Sequence, residues 1–162
     1  MKVAKRRRRE AKTDYLKRLK LLKSEKPRLV MRRTNKYIIA QYVVSDEAKD
    51  TVKIGLSSKK LLELGWPEKA KGSLKSISAA YLTGYLIGKE IIKKKLETPI
   101  IDLGMQRILH KTRIYGFIKG VVDAGLEIKC KQEAFPSQER LMGEALKNKI
   151  NVQEIKSKID SQ

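Results

Sequence analysis

An α/β fold is predicted by three features of this chain. Residues 28–44 are rich in β-branched and aromatic side chains and divide at Thr34-Asn35-Lys36 into two short strands. Residues 73–96 carry apolar side chains at three- and four-residue steps, the period of an amphipathic helix. Between that helix and a second periodic segment lies a short apolar run, residues 99–103. Helix, apolar strand and helix in succession predict a buried, parallel strand beside the antiparallel hairpin.

Taken in order, residues 1–26 form a basic arm. Arg6, Arg7, Arg8 and Arg9 follow Lys5, and four adjacent arginines repel one another and stay solvated until an anion arrives. They read either as phosphate contacts that order on binding or as a solvated tail or localisation signal. Thr13 is placed to cap a short helix. In that helix Tyr15, Leu16, Leu19 and Leu22 make an apolar stripe, and Lys17, Arg18, Lys20 and Lys23 fill the remaining circumference. Pro27 ends the arm. In the first strand Leu29 and Met31 point one way, and Arg28, Val30 and Arg32 the other. The second strand covers residues 37–44, and Asn35 tolerates the left-handed conformation of a tight turn. Arg32, Arg33 and Lys36 crowd the hairpin tip. A third strand is expected at residues 51–54.

Ser57 or Ser58 caps a short helix through Leu64, which Gly65 stops. Trp66 reads as a core or edge anchor ahead of a base-stacking platform. Within the long helix, Ala80, Gly84 and Gly88 lie four residues apart on one face. Each helical glycine costs up to roughly 1 kcal/mol relative to alanine, so the pair implies close packing, here against a sheet. Lys93, Lys94 and Lys95 suit the negative end of that helix. Ile114, Phe117, Ile118, Val121 and Val122 form the apolar face of the next helix, with Gly125 placed to end it. A last short strand is expected at 126–130, and a third helix from Gln138 to about Lys147, capped by Ser137. Residues 151–162 read as polar, weakly periodic and mobile. The domain organisation is thus an arm (1–26), an α/β body (27–130) and a helical C-terminal extension with a mobile tail (131–162).

Charge narrows the function. The chain carries a net charge of +20 over 162 residues. The arm holds 12 basic against 3 acidic residues, the body 20 against 10, and the last segment 6 against 5. Such an imbalance favours a polyanionic partner, and nucleic acid offers a phosphate at every nucleotide. The arm and one side of the body are therefore expected to meet it, while the nearly neutral tail packs or contacts protein. No apolar run approaches the roughly 20 residues of a membrane span, which argues against a membrane protein, although residues 1–24 can also be read as a helix lying on a membrane surface. The single cysteine, Cys130, excludes an internal disulfide and reads as a small buried filler.

No catalytic chemistry stands out, and neither a metal, a cofactor nor a small-molecule substrate is expected. His110 is the only histidine and has no sequence-local partner. Lys71-Gly72-Ser73 ends like a phosphate-binding loop but lacks the glycine-rich run before its lysine. Asp102 reads as one half of a structural ion pair. A DNA- or chromatin-binding module and an RNA-modifying enzyme remain as alternatives to a structural RNA binder; the absent catalytic constellation counts against the enzyme.

An ordered series of short motifs sharpens this. Thr13-Asp14-Tyr15, Pro27-Arg28-Leu29-Val30 and Asn35-Lys36-Tyr37-Ile38-Ile39-Ala40-Gln41 are followed by Gly65-Trp66 and Ala79-Ala80-Tyr81-Leu82-Thr83-Gly84. Lys119-Gly120-Val121-Val122-Asp123-Ala124-Gly125-Leu126 and Phe135-Pro136-Ser137, with Arg140 and Gly143-Glu144, complete it. The set spans roughly residues 5–145 and resembles the universal large-subunit ribosomal protein family numbered eighteen, in its archaeal and eukaryotic branch. The resemblance implies a three-layer α/β domain with a mixed sheet. It also implies a cytoplasmic, ribosome-bound protein that binds 5S ribosomal RNA and helps attach it to the large ribosomal RNA in the central protuberance, beside other large-subunit proteins. Carried over, the implied RNA contacts are Arg6, Arg7, Arg8, Arg9 and Lys12 in the arm. From the hairpin come Arg28, Arg32, Arg33, Asn35, Lys36, Tyr37 and Gln41, and from the loop after the buried strand Arg107, Lys111 and Arg113. Tyr37 reads equally as a base-stacking ring or as a packed strand residue. The bacterial form has a glycine-rich, aromatic loop where this chain has Gly104-Met105-Gln106-Arg107.

Overall fold

The computed structural model of the protein describes residue 3 and residues 5–47, 49–144 and 150–161. Four strands, β1 (Arg28–Arg33), β2 (Ile38–Asp46), β3 (Lys49–Ser57) and β4 (Ile100–Asp102), form one sheet in the order β3-β2-β1-β4. β1 pairs antiparallel with β2, from Arg28↔Val43 to Arg33↔Ile38, and β2 antiparallel with β3. β4 runs parallel to β1, in the register Arg28↔Ile100 to Val30↔Asp102. The sheet is therefore mixed, as the hairpin and the isolated apolar run predict. β3 is longer than the predicted 51–54, because the β2–β3 turn is tight enough for pairing to continue to Asp46↔Lys49.

Period-two alternation sorts the strand side chains. Leu29, Met31, Ile38, Ala40, Tyr42, Ile54 and Leu56 are buried in one core with the helices. The principal helices of that core are α3 (Ile77–Lys93) and α4 (Arg113–Asp123), which pack on each other more extensively than any other pair of elements. Ser76 caps α3 by accepting from the Ala79 N–H at 3.2 Å. The helix starts later than predicted because residues 68–73 form a 3-10 turn. On the opposite sheet face lies α2 (Tyr15–Leu22), preceded by the single helical turn α1 (Arg6–Arg9). The sheet is thus the middle of three layers. Trp66 is a core anchor, 2% exposed, its indole N–H donating to the Ala70 carbonyl at 3.1 Å.

The small-residue face of α3 meets a helix rather than the predicted sheet. A Cβ on Gly84 would run into the Phe117 carbonyl of α4, and one on Gly120 of α4 into the Tyr81 carbonyl of α3. Two glycine-bearing faces interlock, and the backbones approach as no larger residue permits.

Residues 126–130 are irregular, not a strand. α5 (Gln138–Met142) starts where predicted, without a hydrogen bond from Ser137, and ends on left-handed Gly143. The rest of the predicted third helix, residues 145–147, lies outside the described residues. Residues 152–160 form a docked helix, α6 (Val152–Asp160), where a mobile tail is expected. Val152, Ile155 and Ile159 are buried against the core, and Asn151 caps the first turn. Tyr85 of α3 donates to Asp160 at 2.6 Å, and Lys89 pairs with the same carboxylate at 2.9 Å.

Candidate nucleic-acid interface

The predicted contact residues divide into three groups, and a line of ion pairs holds those groups in place. Arg18 of α2 donates to Asp50 of β3 at 3.0 Å, and Asp50 also accepts from Arg28 of β1 at 2.7 Å. Arg28 donates in turn to Asp102 of β4 at 3.1 Å, whose second neighbour is Arg32 at 3.5 Å. This ladder crosses from the arm through three strands. Asp102 also accepts the Gly104 N–H at 2.7 Å, which fixes the start of the loop after β4. The arm is tied to that loop a second time, by Lys17 donating to the Gly104 carbonyl at 3.0 Å. Burial alone raises the Asp50 carboxyl, but hydrogen bonds from Ser45, Arg18 and Arg28 outweigh it and hold the group below its ordinary range.

Arg28 is thereby set apart from the other predicted contacts. It is 3% exposed, with both terminal nitrogens engaged by Asp102, Asp50 and Ser45. A guanidinium so enclosed cannot reach a phosphate without dismantling the sheet edge. Its place is in the scaffold, and the acids that claim it lie 22 and 74 residues away in sequence.

The arm helix is also turned relative to expectation. Asp14, not Thr13, is the cap, accepting from the Leu16 and Lys17 N–H groups. Thr13 instead accepts from the Arg7 guanidinium at 2.9 Å. The face that docks carries Lys17, Arg18 and Leu21, while Leu16 and Leu19 are 65% and 50% exposed. Two polar anchors distant in sequence, Asp50 of β3 and the Gly104 carbonyl, decide the rotation against the leucine stripe. Arg6, Arg7, Arg8 and Arg9 are exposed around one helical turn, and Lys12 is exposed beyond it. Arg6 and Lys12 share Glu10.

At the hairpin tip, Arg33, Asn35 and Lys36 are exposed and Arg32 half-exposed. The tip is closed by Thr34, whose hydroxyl accepts the Tyr37 N–H at 2.9 Å. Asn35 is not left-handed, because this longer turn needs no such residue. The Tyr37 ring packs partly on the core, and Gln41 is half-buried mid-strand. In the third group, Arg107 and Lys111 are exposed and Arg113 half-exposed at the start of α4. His110 stands edge-on to Tyr115, ring centroids 5.3 Å apart. Among the described residues none of Arg33, Lys36, Arg107, Lys111 and Arg113 has a carboxylate partner. Arg33, Lys111 and Arg113 line one cleft together with Arg140 of α5, a residue no charge run in the sequence advertises.

Cys130 is half-exposed rather than a buried filler, and burial of its thiol, partly offset by the Lys131 backbone, raises its pKa. Among the described residues no cluster of acidic, histidine or cysteine side chains could hold a metal ion. No described helix is long and apolar enough to cross a membrane.

Cations without carboxylate partners on the hairpin tip, the loop after β4 and the start of α4, beside a ladder of three arginines and two aspartates, mark a basic α/β protein. The family model for ribosomal large subunit proteins 60S L5 and 50S L18 matches residues 1–99. The chain is 45% identical over 143 residues to the large ribosomal subunit protein uL18 of Korarchaeum cryptofilum, covering 88% of this chain and 71% of that protein. It is 42% identical over 144 residues to the uL18 of Caldivirga maquilingensis, covering 88% and 68%. The chain belongs to this family of ribosomal large-subunit proteins, which are structural constituents and not enzymes.

Proposed function

We propose that the protein binds 5S ribosomal RNA and helps attach it to the large ribosomal RNA of the central protuberance, as a cytoplasmic, ribosome-bound constituent beside other large-subunit proteins. The contacts are Arg6–Arg9 and Lys12 from the arm, and Arg32, Arg33, Asn35, Lys36, Tyr37 and Gln41 from the hairpin. Arg107, Lys111 and Arg113 come from the loop and the start of α4. The observation that carries this reading is the grouping of cations without acidic partners on the tip and loop, with the arm anchored beside them through Lys17 and Arg18. Double-stranded RNA is recognised mostly by shape, phosphate and 2′-hydroxyl. Arginine forks suit that task, because each guanidinium can grip a phosphate through two hydrogen bonds.

Competition at moderate salt tests the partner: folded 5S RNA displaces duplex DNA of equal length, and equal affinity for both refutes the RNA assignment. The salt dependence tests the arm. Each phosphate neutralised contributes roughly −0.7 to −0.9 to the slope of log affinity on log salt. Deleting residues 1–12 removes Lys2, Lys5, Arg6–Arg9 and Lys12, so the slope flattens by about 3.5–4.5 if the five proposed contacts, Arg6–Arg9 and Lys12, reach phosphates. An unchanged slope means that the arm does not contact 5S RNA.

A further inference from the structure

The cleft that gathers Arg33, Lys111, Arg113 and Arg140 draws these four cations from three separate stretches of chain. Arg33 ends β1, Lys111 closes the loop after β4, Arg113 opens α4 and Arg140 lies in α5. Backbone contacts fix the arrangement. The Lys111 N–H donates to the Ala134 carbonyl at 2.8 Å, the Ser78 hydroxyl donates to the Arg140 carbonyl at 3.2 Å, and an Arg140 side-chain nitrogen stands 3.5 Å from the Lys111 carbonyl. Ser76, Ser78 and Thr112 add hydroxyls to the wall, and among the described residues no acidic one lines it. Four cations held together without a carboxylate repel one another. In the ladder such crowding is offset, as Asp50 and Asp102 are shared among Arg18, Arg28 and Arg32. Among the described residues no carboxylate does so here.

We propose that this cleft is a dedicated site for a backbone phosphate of the bound RNA, with Arg140 and Arg113 as the two guanidinium arms that grip it. The site rests on the ribosomal-RNA reading above and extends it to α5, a helix outside the arm, hairpin and loop. Its volume of about 410 Å³ lies in the range of small-molecule sites, roughly 300–1,000 Å³, so a phosphate enters with its sugar. The start of α4 adds to the attraction. Thr112 turns its hydroxyl back to the Leu109 carbonyl at 2.7 Å, leaving the first turn without a side-chain cap. An anion at that end is favoured by the helix dipole. Arg33 joins the cleft to the hairpin tip, so RNA seated on the tip carries its backbone past the opening.

The test uses the full chain and 5S ribosomal RNA. Arg140→Gln is expected to weaken binding about tenfold, as loss of one charge-assisted contact does, and to flatten the salt slope by about 0.7–0.9. Arg140→Lys keeps the slope and loses only part of the affinity. Alkylation of individual RNA phosphates should interfere with wild-type binding at one position that becomes indifferent in Arg140→Gln. Arg113→Gln should erase the same position, and it decides the matter if Arg140→Gln lowers the melting temperature. Wild-type slope and wild-type interference in both variants overturn the cleft while leaving the RNA reading standing. A shallow salt slope in the wild-type protein overturns both.

Discussion

Asp102→Asn probes the ion-pair ladder at its most buried acid, which is 6% exposed at the end of β4. The substitution preserves shape. The amide oxygen can still accept the Gly104 N–H, now made at 2.7 Å. The amide NH2 then faces the Arg28 and Arg32 guanidiniums, donor against donor, where a carboxylate oxygen now sits 3.1 and 3.5 Å from them. Stranding a buried charge outright costs about 3–5 kcal/mol. Arg28 retains Asp50 at 2.7 Å, which lowers that figure. One strong charge-assisted bond, about 1.5–3 kcal/mol, is what disappears. The expected loss is therefore about 2–3 kcal/mol, or about 5–10 °C in melting temperature for a chain of this size. Urea unfolding followed by circular dichroism measures it, with the midpoint falling and the m-value unchanged. A double-mutant cycle with Arg28→Met isolates the pair, and coupling of about 1.5 kcal/mol or more is expected. A loss below about 0.5 kcal/mol, or no coupling, refutes the view that the ladder supports the sheet edge.

Two further perturbations address other parts of the structure. Gly84→Ala adds a methyl group against the Phe117 carbonyl, an overpacking of two backbones that should cost about 1–3 kcal/mol or more, read as a lower midpoint in urea. The Asp50 carboxyl is held below its unfolded range, so its contribution is fully present above about pH 4 and is lost as pH falls through the lowered folded value. Asp50→Asn should therefore flatten the stability profile below about pH 4, and an unchanged acid limb in the variant would count against the Arg18–Asp50–Arg28 contacts.

Much of the body was legible because local patterns and burial agree there. The hairpin, the parallel strand, α3 and α4 each combine a clear period with a punctuating proline, serine or glycine. What escaped depends on partners far along the chain. Arg28 alternates with Val30 and Arg32 in the manner of an exposed row, and only Asp102, 74 residues on, draws it inside. The arm's leucine stripe is genuine, yet Asp50 and Gly104 turn the helix to dock Lys17 and Arg18 instead. α6 was readable in principle: Val152, Ile155 and Ile159 follow helical spacing behind Asn151, but polar residues between them dilute the signal. Arg140 lies alone between Glu139 and Leu141, and only folding brings it to Arg33 and Arg113.

The ladder also imposes an order on synthesis. The arm leaves the translating ribosome before β4, and the last rung, Arg28 to Asp102, waits for 74 residues beyond Arg28. At 5–20 residues per second that interval is about 4–15 s. Throughout it a chain bearing 12 basic residues in its first 26 has no completed sheet edge to dock on. Until then the arm is an untethered polycation, and completion of β4 brings Gly104 to Lys17 and Asp102 to Arg28 and Arg32, fixing where its still exposed arginines stand.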